Sequence, residues 1–161
     1  MDNKGARAYY RVTENIRDFL LNNDDINTVT IGDITQVNLN NNDLFPLGHL
    51  MINNANLKGG IISFNISVMV MDLVWKRKDH EQQDYDETFI GVDNEHDVLN
   101  TQLSVVNLLD KSLSKGTLKK LGVVLSGDTS CEPFKDRFEN EMAGWVDTAN
   151  VTVANDISIC S

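Results

Sequence analysis

The sequence predicts an α+β fold, in which a twisted antiparallel sheet with a long hairpin carries two helices packed on one face. The clearest observation is the segment 61–75, IISFNISVMVMDLVW, where apolar and polar side chains alternate as in a strand with one buried face. The apolar positions on that face are Ile62, Phe64, Ile66, Val68 and Val70. Two further segments space their apolar residues as one face of a helix does, and they supply the helical layer.

The first helix is predicted from about Arg7 to Leu21, because apolar side chains recur there at helical spacing. Those side chains are Val12, Ile16, Phe19 and Leu20. The polar residues 22–25 end the helix. Short strands are predicted at Ile26 to Ile31 and at Ile34 to Leu39, and a polar loop at Asn40 to Asp43.

A β-hairpin is predicted next. Leu44 to Asn53 leads into its first arm, and Gly59 with Gly60 closes it, since glycine supplies the positive φ of a tight turn. At about 3.3 Å per residue the arm 61–75 reaches about 50 Å, whereas an ordinary strand has about 5 to 6 residues. We therefore expect the sheet to extend beyond the subunit, toward a neighbour.

The second half begins with residues Asp79 to Asp97, which include eight acidic residues and no Lys or Arg and are predicted to form a loop. A second helix is predicted from about Glu95 to Ser114, ended by Gly116. Its buried side would carry Val98, Gln102, Val105, Val106, Leu109 and Leu113. A weak strand at Leu121 to Leu125, a turn at Gly127 and Asp128, and a long strand at Met142 to Val153 follow. On one face of that strand lie Trp145, Ala149, Val151 and Val153.

Length and composition limit the classes of function. At 161 residues the chain is expected to form one domain over residues 1–161. A net charge of -10 argues against ordinary nucleic-acid binding, because phosphates are neutralised by Lys and Arg. The acidic balance fits a solvated surface, or the wall of a passage through which DNA slides without adhering. There is no apolar run of about 18 residues and no signal-like start at Met1 to Tyr10, so we expect a soluble protein made in the cytoplasm, with no membrane partner.

Residue patterns for catalysis or ligand binding are weak. The acidic residues Asp84, Asp86, Glu87, Asp93, Glu95 and Asp97 could ligate a hard cation, but they lack the glycine and the spacing of a calcium loop. A solvated run of charge is the preferred interpretation. No GxSxG, GxGxxG or P-loop motif is present. We therefore expect a protein that is not an enzyme, with no catalytic, cofactor-binding or metal-binding residues.

The histidines and cysteines also lack the spacing of a catalytic or metal site. His49, His80 and His96 stand apart without metal-ligand spacing, and His49, among apolar residues, is expected to be a structural histidine. Cys131 and Cys160 are expected to be free thiols.

Two groups of residues suggest contacts. The basic cluster Lys111, Lys115, Lys119 and Lys120 lies near the end of the second helix, where the helix dipole favours cations, and a salt bridge to an acidic neighbouring subunit is the alternative. The aromatic residues Phe134, Phe138 and Trp145 are predicted to form a corner that anchors the last strand. Lys135 or Arg137 would pair there with Asp136, Glu139 or Glu141.

Several segments carry a resemblance to a known group of proteins. They are Leu44 to His49 (LFPLGH), Glu132 to Asn140 (EPFKDRFEN), Ala143 to Trp145, the helix Tyr10 to Leu20, the helix Asp97 to Leu109 and the terminal NDISIC. Together they resemble small virion proteins of tailed bacteriophages, notably the crAss-like group. The element order is also similar to the tail terminator and tail-completion proteins of long-tailed phages.

The resemblance implies a structural virion protein that forms a ring in the phage neck or at the top of the tail. Such a ring joins portal-side components to the tail and surrounds the DNA channel, which DNA passes without specific binding. It would be a homo-oligomer of six subunits, or alternatively twelve, in contact with adjacent neck, portal-side or tail-tube proteins. Assembly would occur in the host bacterial cytoplasm. A tail-tube protein or another non-enzymatic adaptor is the alternative.

The same resemblance assigns roles to segments. The hairpin Leu47 to Trp75 would be the arm that reaches a neighbouring subunit, and Asp79 to Asp97 the contact loop. Acidic residues of that loop, with Asp24, Asp25 and Asp43, are candidates for the channel wall.

Overall fold

The computed structural model describes residues 7–75, 94–135 and 141–155. Its helices are α1 (Ala8–Leu21), α2 (Glu95–Lys115) and the single turn α3 (Thr117–Lys120). Its strands are β1 (Thr28–Ile31), β2 (Leu47–Lys58), β3 (Ile61–Leu73), β4 (Val124–Lys135) and β5 (Met142–Ala154). They form one sheet in the order β1-β2-β3-β5-β4. The predicted α+β class is confirmed, although the sheet is mixed rather than purely antiparallel because β1 runs parallel to β2.

The predicted hairpin forms the middle of the sheet. Gly59 takes the positive φ of 56° in the turn between β2 and β3. β3 pairs with β2 on one side and, over its whole length from Ile61 to Leu73, with β5 on the other. The length of β3 is therefore used inside the subunit. Within the described residues, β2 also has an open edge beyond Leu50, because β1 pairs with residues 47–50 alone.

The helices lie on the predicted face of the sheet. The five alternating side chains from Ile62 to Val70 are buried in one cluster with residues of α1 and α2. The members of that cluster from α1 and α2 are Ala8, Val12, Ile16, Leu20, Val105, Val106, Leu109 and Leu113, and α3 adds Leu118. The face predicted from strand periodicity is thus confirmed, and so is the buried side of α2.

The opposite face is covered by the connection between β1 and β2. This connection was expected to contain a strand at Ile34 to Leu39, which is wrong: Ile34–Gln36 is a 3-10 turn. Asp33 starts the turn, since its Oδ1 accepts a hydrogen bond from the Thr35 amide at 2.9 Å. The connection packs on a second cluster, whose buried members are Phe45, Leu47, Met69, Met71 and Met142. Two parallel strands need such a crossover, because a tight turn joins only antiparallel ones.

Nearer the hairpin turn, the same face is polar. Asn53 donates to Oδ1 of Asn65 at 2.8 Å and to Oγ of Ser67 at 2.8 Å, and Asn65 donates to Oδ1 of Asn150 at 3.0 Å. These bonds link β2, β3 and β5 side by side. The polar half of the alternation in residues 61–67 therefore faces away from the helices, as predicted.

The C-terminal third differs from expectation. The strand expected at Leu121 to Leu125 is β4, which continues through Gly127 and Asp128 to Lys135. Gly127, with φ 77°, lies where the β4–β5 register shifts, so it marks a bulge rather than the end of a strand.

The expected aromatic corner is wrong. Phe134 packs in the second cluster and Trp145 packs against the first, on the other face of the sheet. Lys135 pairs with Glu95 of α2 at 2.8 Å. Phe138, with Asp136, Arg137 and Glu139, lies outside the described residues.

None of the described helices is long and apolar enough to cross a membrane. Of the expected contact loop Asp79 to Asp97, the described part is 94–97, which begins α2.

Candidate functional site

An unusual pair of carboxyl groups lies between α2 and the sheet. Asp147, in the middle of β5, is directly opposite Val68 of β3 and Cys131 of β4. Opposite residues of antiparallel strands share a face, so the Asp147 side chain points toward the helices, and only 2% of the residue is exposed. Asp110 enters from α2, and its carboxyl group lies beside that of Asp147 in the lining of one groove.

The surroundings of Asp147 favour the protonated form of its carboxyl group. A protonated carboxyl group can donate a hydrogen bond to a neighbouring carboxylate, whereas two ionised carboxylates can only accept. Burial, followed by the charge of Asp110 and the hydrogen bond to it, raises the pKa of Asp147 to about 8. Asp147 therefore stays largely protonated at neutral pH.

The carboxyl pair opens into a groove of about 360 Å³, which we call the acidic groove. The other lining residues are Asn100, Leu103, Ser104, Val106, Asn107 and Cys131. Oδ1 of Asp110 and Oδ1 of Asp147 are both buried and lack a hydrogen-bond partner within the described residues. Leaving such oxygens unsatisfied is costly, so a donor or cation that reaches them gains a favourable contact.

Cys131 beside the pair is a free thiol, as predicted. Burial and then the charges of Asp147 and Asp110 raise its pKa to about 11. The thiolate is the nucleophilic form, so a thiol that stays protonated at neutral pH is a poor nucleophile. Cys160 lies outside the described residues.

Metal-ligating groups do not gather in the described part of the chain: no cluster of three or more His, Cys, Asp or Glu there could hold a metal ion. From the acidic run, Asp84, Asp86, Glu87 and Asp93 lie outside those residues. Glu95 and Asp97 lie in the first turn of α2, where the helix dipole favours carboxylates.

His49 is a structural histidine, as predicted. It is fully buried, and its ring bonds Oγ1 of Thr30 at 2.6 Å and the carbonyl of Gly32 at 2.8 Å. Burial lowers its pKa, because the charged ring is poorly solvated in the core. His96 is exposed on α2, and His80 lies outside the described residues.

A second groove, of about 680 Å³, lies on the other side of α2, where this helix faces α1 and α3. We call it the basic groove, since Lys111 and Lys115 line it. Neither lysine has an ion-pair partner among the residues that the structure describes. Lys119 and Lys120 lie in the last turn of α3, and all four lysines are exposed. The end of α2 and the last turn of α3 are positions that the helix dipole favours for cations.

Sequence reasoning missed the carboxyl pair. One signal was present: Asp147 occupies an inward position of β5, between Trp145 and Ala149 on the face expected to be buried. Asp110 gave no comparable signal, because it borders the buried stripe of α2 and its partner is 37 positions further along the chain.

Comparison of the sequence with protein-family models and with curated proteins gives no match.

Proposed function

We propose that the protein is a structural virion subunit that assembles into a closed ring in the neck or at the top of the tail of a bacteriophage. The ring would surround the DNA channel and join portal-side components to the tail. The proposal rests on the resemblance of its sequence segments to phage virion proteins, together with one structural observation.

That observation is the open end of β2. Residues Asn53 to Lys58 are exposed, and they have no strand partner on the side away from β3 within the described residues. The side chain of Leu57 points to the helical face, opposite Ile62, and Leu57 is 74% exposed. An open strand edge with an apolar side chain is a surface on which another polypeptide can pair. The open edge supports a role in assembly more directly than a role in catalysis.

The net charge of -10 fits the same role. Carboxylates along a channel repel the phosphates of DNA, so the DNA would move through the channel without adhering to its wall. Asp24, Asp25 and Asp43 are exposed and remain candidates for the wall.

Electron micrographs of the purified protein test the proposal, with its mass in solution measured at rising concentration. We expect closed rings, six subunits being the first expectation. Leu57→Lys should weaken the assembly, whereas Leu21→Lys, an exposed leucine at the end of α1, is the matched control. Cryo-electron microscopy of the virion then tests the location, and density on the capsid exterior, away from the DNA path, would contradict the proposal.

A further inference from the structure

The two grooves beside α2 have opposite charge and lie on opposite flanks of the helix. The acidic groove lies toward β4 and β5, because Cys131 and Asp147 line it. The basic groove lies toward α1, because Asn15 and Phe19 line it. A surface that presents complementary features on two different flanks can bind copies of itself head to tail.

Each groove holds charge that the subunit itself leaves without a counterion. On the acidic side, both Oδ1 atoms of the carboxyl pair are buried and unpartnered within the described residues. On the basic side, Lys111 and Lys115 have no ion pair there, and Asp18, which also lines that groove, is bonded to Arg17 at 3.0 Å.

Apolar side chains accompany the charges. Leu103 lines the acidic groove and is 39% exposed, while Leu108 and Leu121 line the basic groove and are each about half exposed. Interfaces between subunits combine such apolar contacts with a few charged pairs that set the orientation. The acidic groove has too few carboxyl groups for a metal cluster, but an ammonium group donates three hydrogen bonds and needs only acceptors.

We propose that the acidic groove of one subunit receives the Lys111 and Lys115 side of α2 from a second copy of this chain. The contact is heterologous, so it generates either a closed ring or an open filament, depending on the rotation between subunits. This inference rests on the proposed ring function and names the lateral contact within the ring. The open end of β2 would supply a second contact between subunits of the same assembly.

The test uses two variants of the full chain. Asp110→Asn with Asp147→Asn neutralises the acidic groove, and Lys111→Glu with Lys115→Glu reverses the basic groove. Asp24→Asn with Asp25→Asn makes the same charge change as the first variant, and Arg7→Glu reverses an exposed positive charge as the second does; both lie outside the two grooves and serve as controls. Far-ultraviolet circular dichroism establishes that each variant is folded.

Each groove variant should raise the dissociation constant for self-association at least about tenfold, because charged pairs at an interface are lost. The two control variants should associate as the wild type does. Added salt should weaken the association of the wild type, since it screens the charges.

Mixing distinguishes a head-to-tail contact from a symmetric one. Each groove variant keeps one intact flank, so an equal mixture of the two should give a heterodimer in native mass spectrometry and nothing larger. Absence of the heterodimer would overturn the inference. Rings that form equally well in both groove variants would also overturn it while leaving the ring function standing. A wild type that stays monomeric at every concentration would overturn both.

Discussion

Asp147→Asn should make the subunit more stable, by an amount that grows with pH. In the folded chain the pKa of Asp147 is raised from 3.8 to about 8, so the folded state holds a proton that the unfolded state releases. The stability associated with this group is complete below the unfolded pKa and is lost as pH rises toward about 8. The loss is about 1.4 kcal/mol per pH unit for one proton, hence about 3 kcal/mol between about pH 5 and pH 7. Asparagine removes this dependence, and its amide can still donate to Asp110.

Urea unfolding of the wild type and the variant at several pH values measures this effect, at protein concentrations where both are monomeric. The quantity to follow is the difference between the two free energies of unfolding. His49 acts in the opposite direction: because its pKa is lowered in the folded state, the protein loses stability as pH falls through about 6.5, the pKa of the unfolded chain. The wild type and the variant share this contribution, so it cancels in the difference between their free energies of unfolding. Asp25→Asn is the control for the loss of one exposed carboxylate. A difference that does not change with pH, or a variant that is less stable throughout, would refute the raised pKa of Asp147.

Three further substitutions test the packing, each by the free energy of unfolding. Phe64→Ala should cost about 3 to 5 kcal/mol because the ring is buried under the helices. Leu57→Ala, largely exposed on the same face, should cost under about 1 kcal/mol. Equal losses would mean that the faces of the sheet are reversed. Gly144→Ala should cost about 3 kcal/mol, since a Cβ would lie 1.9 Å from the Val70 carbonyl oxygen, and Gly60→Ala, with no atom within 4 Å, is the control; a wild-type value for Gly144→Ala would contradict the close approach of β3 and β5. His49→Leu should cost about 1 to 3 kcal/mol at neutral pH, because the Thr30 hydroxyl loses its partner on the imidazole ring. The variant should also lack the fall in stability below about pH 6.5. A fall that persists in the variant would show that another group causes it.

Periodicity was sufficient for most of the fold. The alternation from Ile62 to Val70 and the helical spacing in α1 predicted both the element types and the faces they bury, because each pattern reflects a single local geometry. The element bounds were close as well: the last strand, expected from Met142 to Val153, ends at Ala154.

Where the prediction was wrong, nonlocal contacts decided the structure. Residues 34–39 include three β-branched side chains, which favour a strand, but Asp33 caps a 3-10 turn there, and the apolar side chains pack on the cluster that contains Met69 and Met71. Gly127 resembled the end of a strand because a bulge and a turn both favour glycine with positive φ. The parallel pairing of β1 could not be read from a four-residue strand, since its sequence does not specify a partner.

The assembly surface shows the same division between local and nonlocal information. The length of β3 suggested an arm, but pairing with β5 over all of β3 uses that length within the subunit, so strand length alone does not identify a contact with a neighbour. The charged side chains on the two flanks of α2 differ from β3, because they have no counterion or hydrogen-bond donor within the described part of the subunit. Lys111 and Lys115 lack counterions within the described residues, and the carboxyl pair retains unpartnered oxygens on the opposite flank. Buried oxygens without a donor cost stability, and the proposed contact with a second copy would bring lysine ammonium groups to them.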